Sequence, residues 1–141
     1  GTALNAGHLQ QVKDAGASLV VSPGISVELL DAAKALGLTL LPGIASASEL
    51  MLGLNHGLSH FKLFPASAIN GIGLAKALAG PFPEARFCCT GGISEADLPL
   101  YLNEPNIPSV GVSWLASRQA IAAGRWDEIR GAALRLKLPT R

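Results

Sequence analysis

The chain has 141 residues, 49% of them apolar and 15% charged, which is enough to bury the core of one domain spanning residues 1–141. Its formal charge of +1 comes from interspersed acids and bases, leaving no electrostatic footprint for nucleic acid or an anionic membrane surface. The longest apolar runs, such as residues 38–41 and 61–64, are strand-sized and far short of the roughly 20 residues that cross a bilayer, so a soluble protein with neither partner is expected.

Gly1 is not an initiator methionine and opens no signal or transit pattern, and Gly1-Thr2 has the character of a strand end. Leu9, Val12 and Ala15 then recur at helical spacing. Residues 18–22 form the first full apolar run and read as a buried strand. A helix follows through Val27, Leu30, Ala33 and Leu36, with Ser26 as its N-cap and Gly37 as its C-cap. Residues 39–44 read as the next strand. Ser46 and Glu49 form a capping-box pattern ahead of Leu50, Met51 and Leu54, and Gly57 closes that helix. Residues 60–65 are a third strand, followed by helical spacing at Leu74, Ala77 and Leu78. Residues 86–90 and 109–114 complete the strands, with Ser94 as an N-cap between them. Two helical patterns end the chain, residues 115–123 and 126–136, broken at Gly124 and stopped by Pro139.

Strands recur every roughly 20 to 26 residues, the period of a βα step, which fits either an open doubly wound sheet or a (β/α)8 barrel. No Gly-x-Gly-x-x-Gly follows the first strand, and Gly71-Ile72-Gly73 is too short and wrongly placed to replace it, which favours the barrel. A closed barrel needs eight strands and roughly 200 residues or more. The expected fold is therefore a partial barrel of about five βα units plus C-terminal helices, in a chain that begins mid-protein. Both architectures place sites at strand C-terminal ends, where Ser22-Pro23-Gly24, Pro42-Gly43, Pro65-Ala66-Ser67, Thr90-Gly91-Gly92 and Ser113 stand.

Cys88 and Cys89 are adjacent in one strand, so their side chains point to opposite faces; they do not favour a structural disulfide, and a reducing cytoplasm fits best. His8, His56 and His60 lack metal-ligand spacing. Of the five lysines, Lys13, Lys34, Lys76 and Lys137 lie on helical stretches as solvated side chains. Lys62 differs, because it sits among apolar neighbours in a strand, where an ammonium is costly unless paired or lowered in pKa. A lowered pKa makes an amine able to attack a ketone carbonyl and form a protonated Schiff base. The structural alternative is a lysine that snorkels to the barrel mouth or pairs with an unseen carboxylate. Thr90-Gly91-Gly92, with Ser113 on the next loop, offers backbone N–H groups that suit a phosphate, or else a tight turn that simply requires glycine. Thr2, Pro23, Pro42 and Phe64 occupy equivalent strand ends. Trp114 and Trp126 read as packing residues.

The sequence resembles the 2-dehydro-3-deoxy-phosphogluconate aldolases, class I barrel enzymes of the Entner-Doudoroff route, over essentially its whole length. The resemblance is carried jointly by Gly1-Thr2-Ala3-Leu4-Asn5, Ser22-Pro23-Gly24, Leu41-Pro42-Gly43, Ser48-Glu49-Leu50-Met51, Phe61-Lys62-Leu63-Phe64-Pro65-Ala66, Gly80-Pro81-Phe82, Arg86-Phe87-Cys88 and Thr90-Gly91-Gly92-Ile93-Ser94. It implies that Lys62 forms the pyruvate imine, that Thr2, Pro23, Phe64 and Thr90 surround the pyruvyl part, and that Gly91, Gly92 and Ser113 hold the phosphate. It implies reversible cleavage of the phosphorylated keto-deoxy sugar acid to pyruvate and glyceraldehyde 3-phosphate, without metal or organic cofactor, in a homotrimer. Sister activities on the phosphogalactonate isomer or 4-hydroxy-2-oxoglutarate share the imine machinery, and a binding-only or inactive remnant is the reading from another class.

Two residues depart from the family pattern: Ser67, where glutamate commonly follows Pro-Ala, and Cys89, where proline commonly precedes Thr-Gly-Gly. The resemblance also implies that the general acid/base glutamate and the carboxylate-gripping arginine lie on an earlier strand. A missing general base costs about 10²- to 10⁴-fold, so these residues alone are expected to be poorly active. An exposed sheet edge beside the first strand is expected as well.

Overall fold

The computed structural model describes residues 2–136. Gly1 of the expected leading strand end, Lys137 and the helix-stopping Pro139 lie outside the described residues.

Strands and helices alternate. In chain order they are α1 (Ala6–Asp14), β1 (Leu19–Val21), α2 (Val27–Ala35), β2 (Thr39–Leu41), β3 (Gly43–Ile44), α3 (Ala47–Asn55), β4 (His60–Leu63), α4 (Gly71–Ala79), β5 (Arg86–Thr90), α5 (Leu98–Leu102), β6 (Ser109–Gly111), a 3₁₀ turn at Trp114–Ala116, α6 (Arg118–Ala122) and α7 (Trp126–Arg135). Every pairing is parallel, β1 with β2 and then β3, β4, β5 and β6 in order. Successive parallel strands joined by helices are what the recurring apolar runs predict.

The run 39–44 is two strands, not one. Pro42 separates β2 from β3 because it has no N–H to give to a ladder, yet its carbonyl still accepts from Lys62 N at 2.8 Å. The described sheet therefore divides at a fully buried proline. Ala3 N donates to Val21 O at 3.2 Å, so residues near Thr2 run beside β1 without forming a strand.

Local chemistry sets the helix starts. Asn5 accepts from His8 N, Ser26 from Leu29 N and Ser46 from Glu49 N, each a side-chain oxygen satisfying a free amide of the first turn. Glu49 Oε2 accepts from Ala45 N at 2.7 Å and from Ser46 Oγ at 2.9 Å, a variant of the expected capping box that reaches one residue beyond the N-cap. Gly37, Gly57 and Gly124 hold positive φ just after their helices, as C-terminal glycines do.

Helical spacing located the helices better than their inner faces. Val27 and Met51 are half exposed and Ala77 is exposed, whereas Leu29, Leu30, Leu50, Ala75 and Leu78 are buried. The short α5 had no periodic signal, being five residues with Pro99 in its first turn.

Two clusters form the core. One gathers Leu9, Val20, Leu29, Leu30, Ala33, Leu38 and Leu40 around β1 and β2. The larger packs Phe61, Leu63, Phe87 and Cys89 of β4 and β5 against Leu50, Ala75, Leu78, Tyr101 and Ile107. Because side chains alternate along a strand, burying those four on the helix side turns Lys62, Cys88 and Thr90 to the other face. Among the described residues no helix is long and apolar enough to cross a membrane.

Candidate functional site

Lys62 occupies the middle of β4, between Phe61 and Leu63, which are fully buried. Its partners in register are Gly43 on β3 and Cys88 on β5. The side chain is half-buried and its Nζ lies 4.3 Å from the centroid of the Phe64 ring. Burial lowers the pKa of Lys62 below the ordinary lysine value, and the charge of an ionised Cys88 acts in the opposite direction. Among the described residues the ion pairs are Lys76 with Glu104 and Arg125 with Glu128, and neither involves Lys62. Among the described residues no carboxylate pairs with Lys62.

Phe64 connects the lysine to a second feature. Its ring lines a concavity of about 340 Å³ together with Thr90, Gly91, Gly92, Ile93, Gly111, Val112 and Ser113, at the C-terminal ends of β5 and β6. The walls of this concavity are fixed by backbone bonds: Ala66 N donates to Thr90 O at 2.8 Å and Ser67 N to Gly91 O at 3.0 Å. Gly91 and Gly92 have φ of +101° and +75°, so both the turn and the close approach of Phe64 require glycine. The Thr90 hydroxyl oxygen is buried and has no hydrogen-bond partner among the described residues. A buried unpaired hydroxyl is uncommon and suits a polar group arriving from outside.

Five of the site residues expected from sequence, Phe64, Thr90, Gly91, Gly92 and Ser113, thus line one concavity, with Lys62 beside it through the Phe64 ring. Thr2 and Pro23 line two other concavities. Thr2 is exposed beside His8, Gln11 and Leu19. Pro23 lies near Ala3 and Leu29, but its carbonyl packs where a Gly43 side chain would stand, one strand from Lys62. Pro42 is fully buried and supplies only its carbonyl to this region.

The segment after the two glycines differs from expectation. Ser94 Oγ accepts from Asp97 N and donates to Asp97 Oδ2 at 2.6 Å, a cap-like bond, but residues 95–97 form turns and α5 starts only at Leu98. A full helix N-terminus does not directly follow Gly92, and the anion-binding potential there rests on the loop amides. Sequence reasoning gave no role to Gly111, where a side chain would meet the Thr90 methyl, or to Cys88 beside Lys62. Strand register, which no spacing reveals, is what brings both to the site.

A family model described as KDPG and KHG aldolase matches residues 1–132. A curated relative from Pseudoalteromonas atlantica, named 2-dehydro-3-deoxy-phosphogluconate aldolase, is 50% identical over 92% of this chain and 60% of its own length. A crystal structure of KDPG aldolase from Legionella pneumophila, with pyruvate captured as a covalent carbinolamine intermediate, superposes with a TM-score of 0.88 at 43% identity over 92% of this chain and 63% of its own. A Zymomonas mobilis 2-keto-3-deoxy-6-phosphogluconate aldolase structure with 3-phosphoglycerate gives 0.85 at 41% identity, over 97% of this chain and 66% of that one. The chain spans about 60% of the length of the curated relative. These likenesses make the parallel βα array part of a (β/α)8-type barrel.

Proposed function

Because the chain belongs to the KDPG and KHG aldolase family, we propose that it carries the Schiff-base half of an aldolase site cleaving 2-dehydro-3-deoxy-6-phosphogluconate to pyruvate and glyceraldehyde 3-phosphate. The observation that carries the reading is the place of Phe64. Its ring lies 4.3 Å from Lys62 Nζ and also lines the glycine-rich concavity, so an amine suited to attack a ketone adjoins loop amides suited to a phosphate.

In this reading Lys62 attacks the C2 ketone of the substrate, and loss of water from the carbinolamine leaves a protonated imine. The imine then accepts the electron pair of the breaking C3–C4 bond. Burial supports the first step, since it favours the neutral amine. Phe64 and Thr90 flank the pyruvyl part, with the unpaired Thr90 hydroxyl as a donor to the carboxylate; the family resemblance would add Thr2 and Pro23 there, although here they line neighbouring concavities. Gly91, Gly92 and Ser113 hold the phosphate through backbone amides and a hydroxyl. The covalent imine takes the place of a metal or organic cofactor.

Proton transfers at the carbinolamine and enamine need a group of suitable basicity. The row around Lys62 offers Gly43, Cys88 and Ser109. Turnover by the 141 residues alone is accordingly expected to be slow relative to imine formation. Assembly as a homotrimer in the cytoplasm belongs to the same proposal.

The Z. mobilis structure with 3-phosphoglycerate supports a phosphorylated substrate, and the family description supports 4-hydroxy-2-oxoglutarate as a second substrate of the same lysine. Incubation with pyruvate and borohydride, followed by peptide mass spectrometry, tests the central step. A reduced adduct on Lys62 that disappears in Lys62→Arg is expected. An adduct on a different lysine sinks the assignment, and relative turnover of the two substrates then ranks them.

A further inference from the structure

In a parallel ladder, paired residues point to the same face, so the register around Lys62 names its neighbours. Across the concave face the row is Gly43, Lys62, Cys88 and Ser109. Gly43 brings no side chain, and the Pro23 carbonyl fills the space beside it. Ser109 stands one strand farther on and is exposed. Cys88 is thus the side chain facing Lys62 from the adjacent strand. Its neighbour Cys89 points the other way, fully buried in the core, where burial first and the Cys88 charge second push its thiol up to about 12.

The rows on either side contain little else that titrates. Toward the strand N-termini His60 pairs with Arg86. The His60 ring engages Ser59 Oγ at 2.9 Å, and the Arg86 guanidinium donates to the Pro83 and Ala85 carbonyls. Toward the mouth stand Phe64 and Thr90. Among the described residues, Cys88 is the one ionisable group in the row of Lys62.

We propose that Cys88 is a positioning residue for Lys62, its thiol being the ionisable group that decides how freely the lysine amine can attack a carbonyl. The proposal rests on the reading of Lys62 as the imine lysine. A neutral thiol leaves the amine available, whereas a thiolate in the same row holds it as an ammonium.

Competitive acetylation with acetic anhydride at mildly alkaline pH, read peptide by peptide, reports the free-amine fraction of each lysine without any substrate. Cys88→Ser removes the ionisable group at nearly constant size, and Cys88→Asp installs a negative charge. Lys62 should acetylate about threefold faster in the serine variant and at least about threefold slower in the aspartate variant, with Lys13 and Lys34 unchanged. Pyruvate–borohydride labelling should follow the same order. Unchanged Lys62 acetylation in well-folded Cys88→Ser overturns the proposal, and that variant decides alone if Cys88→Asp does not fold. Altered acetylation in a chain that never traps pyruvate upholds the Cys88–Lys62 coupling and sinks the aldolase reading instead.

Discussion

The Nζ of Lys62 lies 4.3 Å from the ring centroid of Phe64, two residues along the same strand run and on the same face. A cation over an aromatic face is stabilised by about 0.5–1 kcal/mol at a partly exposed site, so the ring favours the ammonium while burial favours the amine. Phe64→Leu keeps apolar bulk but removes the face. The free-amine fraction of Lys62 should rise about two- to fivefold at a fixed, mildly alkaline pH. Acetylation rates of the Lys62 peptide measure this, and an unchanged rate would show that the ring does not hold the cation.

Lys62 should also leave a signature in stability against pH. Its folded-state pKa is lowered, chiefly by burial, so between that value and the ordinary lysine value the unfolded chain binds more protons than the folded one. Stability therefore rises with pH through this window, and the burial cost is fully present below it. Lys62→Met should be more stable than the parent at neutral pH, by a margin that shrinks as pH rises. Urea midpoints across the alkaline range check the sign, and a margin that grows with pH contradicts it.

Gly91→Ala tests the glycine cradle. Its φ is +101°, and a Cβ would come within 3.1 Å of two Phe64 ring carbons and 3.2 Å of Pro65 Cα. The strain should cost about 1–3 kcal/mol and displace the Phe64 ring. Thermal melting is expected to fall, and pyruvate trapping to fall with it.

Gly43→Ala should be worse, for a different reason. Its backbone is ordinary, but a Cβ would run into the Pro23 carbonyl, a backbone group that cannot rotate aside. A loss of more than about 2 kcal/mol, or of soluble protein altogether, is expected. Gly24→Ala, where a Cβ meets nothing within 4 Å, is the matched control and should stay within about 0.5 kcal/mol of the parent.

Much of the fold was legible because its signals are local. The caps at Ser26 and Ser46 and the glycines at 37, 57 and 124 act within one helical turn, and each is found as expected. The run 39–44 reads as one strand in sequence because its apolar character is continuous, whereas the break depends on the missing N–H of Pro42. Likewise Met51 and Val27 carry apolar side chains at helical spacing yet face outward, because which stripe of a helix is inward depends on where the sheet lies.

The sequence by itself determined the alternation of strand and helix, the isolation of Lys62 among apolar neighbours and the glycine pair that ends β5, since each follows from residue type and near-neighbour chemistry. Only the tertiary structure decided which side chains meet. Parallel register set Cys88 opposite Lys62, the turn of the chain at Pro65 brought Phe64 against Gly91, and the loops after β5 and β6 closed around Thr90. The cross-strand contacts among them, Lys62 with Cys88, Phe64 with Gly91 and Thr90 with Gly111, join residues 21 to 27 positions apart, and a shift of one residue in strand pairing would turn the paired side chains to the opposite face.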